Sequence, residues 1–378
     1  MIQIENMPFS LRFVGLLLML GLLSGCGALN RGYEALLVLG DLSAGSEESR
    51  LKQRTPEPRR EEVSYAVEGR EYVADIYHPE ASRRGALVLV HGFTEEGRRD
   101  SRLVEFAMTL SRLGFRLVVP ELEGLKDFSI STREAQAIAD AIRYTTNKVE
   151  AAESEAALAA ISFAVGPALI AAMQEDTAER VSFVVAVGGY YDLTDMLRYV
   201  TTGEEHGGKA LDLPPPESRA RWAMLLSQLH WLEDEEDQAL LENIARRKLE
   251  DRSAAVEAEV RRLGPQGRSL YNLVTNEDPD KVNALLDKLP SRLRQEFKAL
   301  DLSRRELDAL QAQLILIHGP NDRVIPISHS RRLEDVLPED QAHLYEAAGL
   351  EHVDVSPGLM DGWELWRATV HVLKLGEQ

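Results

Sequence analysis

Ala157-Leu158-Ala159-Ala160-Ile161-Ser162-Phe163-Ala164-Val165-Gly166-Pro167, running on in Ala- and Leu-rich residues to Met173, is the stretch that decides the reading of this 378-residue chain. Ala157 to Ile161 is a short apolar run suited to a buried strand. Pro167 has no backbone N–H and is tolerated only near a helix start, where that donor has no intrahelical partner. A helix therefore begins close behind Ser162, and the serine falls on the turn between strand and helix.

Outward from this unit the same alternation repeats. Ala86 to Val90, Phe115 to Val119, Val181 to Val187, Leu314 to Ile317 and Ala342 to Glu346 are short β-branched or apolar runs separated by helical patterns. Such alternation predicts an α/β fold with a mostly parallel, doubly wound sheet. Ahead of them, Glu62 to Val67 and Glu71 to Tyr77 alternate inside and outside residues around Glu68-Gly69-Arg70, a hairpin pattern. The character changes over 199–310. Pro214-Pro215-Pro216 precedes long charged amphipathic stretches in which Trp222, Leu225, Leu226, Leu229 and Trp231 recur at helical spacing. This predicts a helical insertion, its Trp/Leu stripe serving as core, that lies over the strand ends as a cap.

Open α/β sheets bind ligands beyond the carboxyl ends of their strands, so chemistry is sought just after each run. Leu87-Val88-Leu89-Val90 leads into His91-Gly92-Phe93; Ile161 leads into Ser162; Leu314-Ile315-Leu316-Ile317 leads into His318-Gly319-Pro320-Asn321-Asp322; Leu344-Tyr345-Glu346 leads through Ala347-Ala348-Gly349-Leu350-Glu351 into His352. These four junctions resemble those of the α/β-hydrolase fold superfamily: the His-Gly loop after the third strand, the nucleophile elbow, the acid loop and the histidine loop, with Ser, Asp and His in the superfamily's chain order. The resemblance covers about Glu61 to Leu375 apart from the insertion, and is somewhat closer to dienelactone-hydrolase and serine-aminopeptidase relatives.

The resemblance implies a serine hydrolase in which Ser162 is the nucleophile, His352 the base and Asp322 the acid, with the backbone N–H groups of Phe93 and Phe163 forming the oxyanion hole. The elbow departs from Gly-x-Ser-x-Gly at both flanks, where Ala160 and Ala164 stand. Asp192 and Asp195, after the run ending at Val187, are weaker candidates for the acid. His91 and His318 fit hydrogen-bonded structural roles. No histidine pair has metal-ligand spacing, so neither a metal nor another cofactor is expected. An acyltransferase would use the same residues, and a non-catalytic envelope protein would keep the scaffold as a binding or assembly module.

The N-terminus carries a different signal. Arg12 precedes the apolar run Phe13 to Leu23, which ends at Ser24-Gly25-Cys26-Gly27. The run is too short to span a bilayer, which takes about 20 apolar residues. Leu23-Ser24-Gly25-Cys26 resembles the lipobox of bacterial lipoproteins, which implies lipidation of Cys26, the only cysteine, and residence in the cell envelope, at the outer membrane in a Gram-negative cell. The expected organisation is a signal peptide over 1–25, a lipidated polar tether over 26–60 with one short helix over Tyr33 to Leu39, hydrolase core over 61–198, the insertion over 199–310 and core again over 311–378. With 62 acidic against 43 basic residues the formal charge is −19, which opposes nucleic acid. The implied partners are a small acyl substrate and, through the lipid, a membrane.

Overall fold

Glu68 and Gly69 both take positive φ, 50° and 79°. That turn geometry matches the right-handed twist of the strands it joins, here β1 (Arg59–Val67) and β2 (Arg70–His78), which pair antiparallel throughout. Six further strands join them in one sheet: β3 (Ala86–Val90), β4 (Arg116–Pro120), β5 (Ala156–Ile161), β6 (Val181–Val187), β7 (Gln313–His318) and β8 (Ala342–Glu346). The computed structural model describes residues 9–149, 155–205, 216, 219–351, 354–355 and 362–377. Its eight-stranded sheet has the order β1-β2-β4-β3-β5-β6-β7-β8, parallel from β4 to β8.

Successive side chains of a strand face opposite ways, and the central strands divide their apolar residues accordingly. Val88 and Val90, Leu158 and Ala160, and Val184 and Ala186 enter one core cluster. Leu87 and Leu89, Ala157 and Ala159, and Phe183 and Val185 enter another on the opposite face. Burial on both faces is why these strands read as continuous apolar runs rather than alternating ones. The first cluster is roofed by the helices Thr132–Tyr144 and Val165–Ala172, the second by Ser101–Arg112 and Gly362–Leu375. Between β6 and β7 the chain forms a helical insertion with an apolar cluster of its own, including Trp222, Leu225, Leu229, Trp231, Leu241 and Leu293.

The N-terminal segment differs from the expected tether. A helix runs over Phe9–Ala44, and its second half packs on the body. Ala35 and Val38, with Leu51 beyond the helix end, are buried in the second cluster. Thr109 Oγ1 donates to Asp41 at 2.6 Å, and Trp366 Nε1 donates to the Gly32 carbonyl at 2.8 Å. The polar residues after Ala44 hid this, because Ala35 and Val38 form a narrow buried stripe one turn apart, and helical docking needs only such a stripe. Cys26 lies within the helix, and its side chain is outside the described residues. Among the described residues, no helix is long and apolar enough to cross a membrane.

Candidate active site

Parallel registry sets the site. Val90 is level with Ala160, and Ile161, Val187 and Ile317 form one row, so His91, Ser162, Gly188 and His318 all emerge at the carboxyl edge of the sheet. Ser162 is one of three non-glycine residues with positive φ among those described, at 59°. A side chain in that region crowds its own backbone, at a cost of roughly 1–2 kcal/mol, so the conformation persists only where the surroundings hold it. The surroundings are β5 behind it, a short 3₁₀ turn over Ser162–Ala164 and the helix Val165–Ala172 ahead. Pro167 occupies the first turn of that helix, as its missing N–H requires.

Ala160 and Ala164, which stand where the elbow motif has glycine, are both fully buried without displacing the turn. Close approach is supplied elsewhere. A Cβ on Gly166 would collide with the Tyr190 hydroxyl, and one on Gly189 with Val165. These two glycines bring the helix behind Ser162 against the loop that follows β6. The Ala-flanked motif gave no sign of this, since the contact joins residues more than twenty positions apart.

The His91-Gly92-Phe93 loop lies directly against the serine. A methyl on Gly92 would sit 3.5 Å from Ser162 Cβ, and the Phe93 and Phe163 rings stack with centroids 5.1 Å apart. His91 is buried, with Nδ1 2.8 Å from the Gly92 carbonyl. Burial lowers its pKa below the usual imidazole range.

Asp322 is 1% exposed, on the loop after β7. Its Oδ1 accepts from the Val324 and Ile325 N–H groups at 2.8 and 3.0 Å. His318 braces the same loop. Its Nε2 donates to the Ile325 carbonyl at 2.8 Å and lies 3.4 Å from Asp322 Oδ2, while its Nδ1 faces Ser330 Oγ at 2.7 Å. The carboxylate loop is pressed onto the segment leading to residue 352: the Ala347 N–H donates to the His318 carbonyl, and any side chain at Gly319 would strike the Leu350 carbonyl. His352 itself is outside the described residues. The alternative acids have other employment. Asp192 caps the helix Leu193–Thr202, and Asp195 pairs with Arg198 and Arg332 at 2.7 and 2.9 Å. Arg332 also faces Nδ1 of His329, a buried histidine whose pKa lies well below the usual range because of burial.

Ser162 borders an apolar cavity of about 1130 Å³. On the serine's side it is lined by Phe93, Phe163 and Met196 from the core and by Ala220, Met224 and Phe297 from the insertion. The insertion therefore does overhang the strand ends, tied down by Tyr190 donating to the Leu300 carbonyl at 3.2 Å and by Thr132 to Glu296. Met224 and Phe297 were not identifiable from sequence, because nothing local separates a cavity-lining apolar residue from a core one. The same cavity continues to the other side of the sheet, where Val38, Leu42 and Leu373 line it.

No family model matches the chain, and no curated sequence matches it. Solved structures do. A candidate hydrolase of Legionella pneumophila superposes with a TM-score of 0.53 at 14% identity, covering 84% of this chain and 88% of that one. An esterase of Pyrobaculum calidifontis gives 0.46 at 12% identity, covering 92% and 91%. A dienelactone hydrolase of Anabaena variabilis gives 0.43 at 14%, covering 84% and 96%. The chain has the α/β-hydrolase fold, a mostly parallel eight-stranded sheet flanked by helices, with a helical insertion between β6 and β7.

Proposed function

We propose that the protein is a serine hydrolase acting on esters or related acyl compounds with an apolar acyl group, held at the bacterial envelope by lipid on Cys26. The observation that carries the reading is the backbone of Ser162: a non-glycine residue at φ 59°, at the carboxyl end of a central strand, bordering an apolar cavity. Strain of this kind is retained where it aims a side chain.

In this reading His352 takes the Ser162 proton as the hydroxyl oxygen attacks the acyl carbon, and Asp322 holds the imidazole tautomer and stabilises the imidazolium. The N–H groups of Phe93 and Phe163 bind the oxyanion. The imidazolium then protonates the leaving group, and a water activated by the same imidazole releases the acid. The two hydrogen bonds on Asp322 Oδ1 support the role of the acid, since they fix the carboxylate plane and leave Oδ2 turned the other way. The apolar lining of Met196, Met224 and Phe297 supports an apolar acyl group.

The test is covalent labelling. A fluorophosphonate is expected to modify the wild type at Ser162 and to leave Ser162→Ala unmodified, with hydrolysis of acyl esters lost in the variant. Turnover that survives in Ser162→Ala, or a wild type inert to both reagents, sinks the proposal and favours a scaffold that only binds.

A further inference from the structure

The largest exposed apolar side chains gather in one place. Of five such residues among those described, four are Leu29, Tyr33, Leu36 and Trp363, exposed by 77%, 41%, 60% and 60%. Leu29, Tyr33 and Leu36 are spaced four and three apart, one stripe along the N-terminal helix. The stripe faces away from Ala35 and Val38, which are buried against the body. Trp363 joins it through Trp366, whose ring stacks on it at 4.8 Å and whose Nε1 bonds the Gly32 carbonyl, between Leu29 and Leu36. Single exposed apolar residues are ordinary, whereas a contiguous set marks a contact surface.

We infer that this face, made by the N-terminal helix and the C-terminal helix Gly362–Leu375, lies on a lipid bilayer. Three observations select lipid over a protein partner. The stripe begins one helical turn after Cys26, in the same helix, so on the proposed reading lipid on Cys26 would hold it at the bilayer. Its aromatic residues are two tryptophans and a tyrosine with an arginine, Arg54, 5.3 Å over the Tyr33 ring; amphipathic rings and arginine are the side chains that settle at headgroup depth. The chain carries a formal charge of −19, but the carboxylates beside the stripe, Glu34 and Glu364, are paired with Arg84 and Arg367, which lowers the repulsion this side meets on approach to a membrane. The inner sides of the same two helices, through Val38, Leu39, Leu365 and Val372, wall the cavity that reaches Ser162. Docking this way sets the cavity beside the acyl chains of the bilayer. On the proposed hydrolase reading the substrate class is then an amphiphilic acyl lipid.

The full-length chain is reconstituted in phosphatidylcholine vesicles whose acyl chains carry bromine, and tryptophan emission is recorded. Trp222 and Trp231 are buried in the insertion and serve as the internal reference. Bromine-labelled lipid is expected to quench part of the emission, aqueous iodide to leave that part untouched, and Trp363→Phe to lose most of it while the protein stays on the vesicles. Emission quenched by iodide and not by lipid puts the face in water and overturns the inference. Protection from both quenchers, with Leu36→Cys cross-linking between two copies, puts a second copy there and overturns it equally, as does lipid quenching unchanged in Trp363→Phe. Ser162→Ala is expected to quench like the wild type. Failure of labelling at Ser162 with quenching intact would therefore sink the enzyme reading and leave the docking face standing.

Discussion

The carboxyl edge of the sheet and the helical insertion above it are built on opposite plans. At the edge, Ser162 and Asp322 are separated by 160 positions in the chain and are held by close approaches of backbone: Gly92 in contact with Ser162, and Gly166 against Tyr190 and Gly319 against Leu350 with no room for a side chain. The insertion instead closes its own apolar cluster from Trp222 to Leu293 and shares with the core below it the partly buried Met224 and Phe297. One region fixes the positions of side chains far apart in the chain. The other shapes the space above them and can vary without disturbing the first.

The largest effect expected from breaking this contrast is at the edge. Asp322→Asn keeps an oxygen for the Val324 and Ile325 N–H groups but turns an amide N–H₂ toward His318 Nε2, which already donates. In a Ser-His-Asp site this change holds the base in the wrong tautomer and lowers kcat by about 10⁴-fold. The fluorophosphonate labelling rate is expected to fall by orders of magnitude, with a folded protein by circular dichroism. A rate within tenfold of wild type would remove Asp322 from the reaction.

The corresponding change in the insertion acts on stability. Leu241 is fully buried in the insertion's own cluster, and truncating such a leucine costs about 2–5 kcal/mol. In Leu241→Ala the emission of Trp222 and Trp231 should shift at lower urea than the far-ultraviolet circular dichroism of the whole chain, and Ser162 should still label. A single shared transition would show that the two regions unfold as one.

How much of this was legible beforehand follows the same division. The strands were readable because two-sided burial leaves uninterrupted apolar runs; β3, β6 and β8 fall on the residues expected. The hairpin was readable because Glu68-Gly69 carries its own turn chemistry. The insertion's helices were readable by period, but the residues it turns toward Ser162 were not, since periodicity reports that a side chain is buried and not what buries it. In the N-terminal segment a short helix over Tyr33 to Leu39 was readable, but not its docking, because docking depends on a partner surface, here Ser101–Arg112 and Gly362–Leu375, that the segment's own composition does not encode.

Acid sharpens the contrast less strongly. His91 and His329 are buried at the edge with pKa values pushed down by burial, His329 more so. A histidine whose folded pKa is depressed binds fewer protons folded than unfolded once pH drops below about 6.5, so stability falls as pH falls through that value and is unaffected well above it. Glu134, Asp192 and Glu205, raised by burial, work in the opposite sense as they take up protons. The difference between wild type and His329→Gln isolates the histidine. The variant's Tm should depend less steeply on pH between about 7.5 and 5.5 than the wild type's. Parallel curves would mean that His329 takes up its proton as readily in the fold as in the unfolded chain.

The smallest effect tests the strain at the elbow itself. Ser162→Ala and Ser162→Gly both lose the hydroxyl, but alanine keeps a Cβ at φ 59° and glycine does not. The left-handed region costs a non-glycine residue roughly 1–2 kcal/mol, partly offset by the greater freedom of glycine in the unfolded chain, about 0.4–1 kcal/mol. The methyl retained by alanine packs against the Gly92 loop and recovers little, because Gly92 offers no side chain. The glycine variant should therefore be more stable than the alanine variant by about 0.5–1 kcal/mol in urea denaturation. An alanine variant as stable as the glycine one would mean that the backbone at 162 relaxes out of the left-handed region, and the serine would then owe its direction to side-chain contacts rather than to the turn.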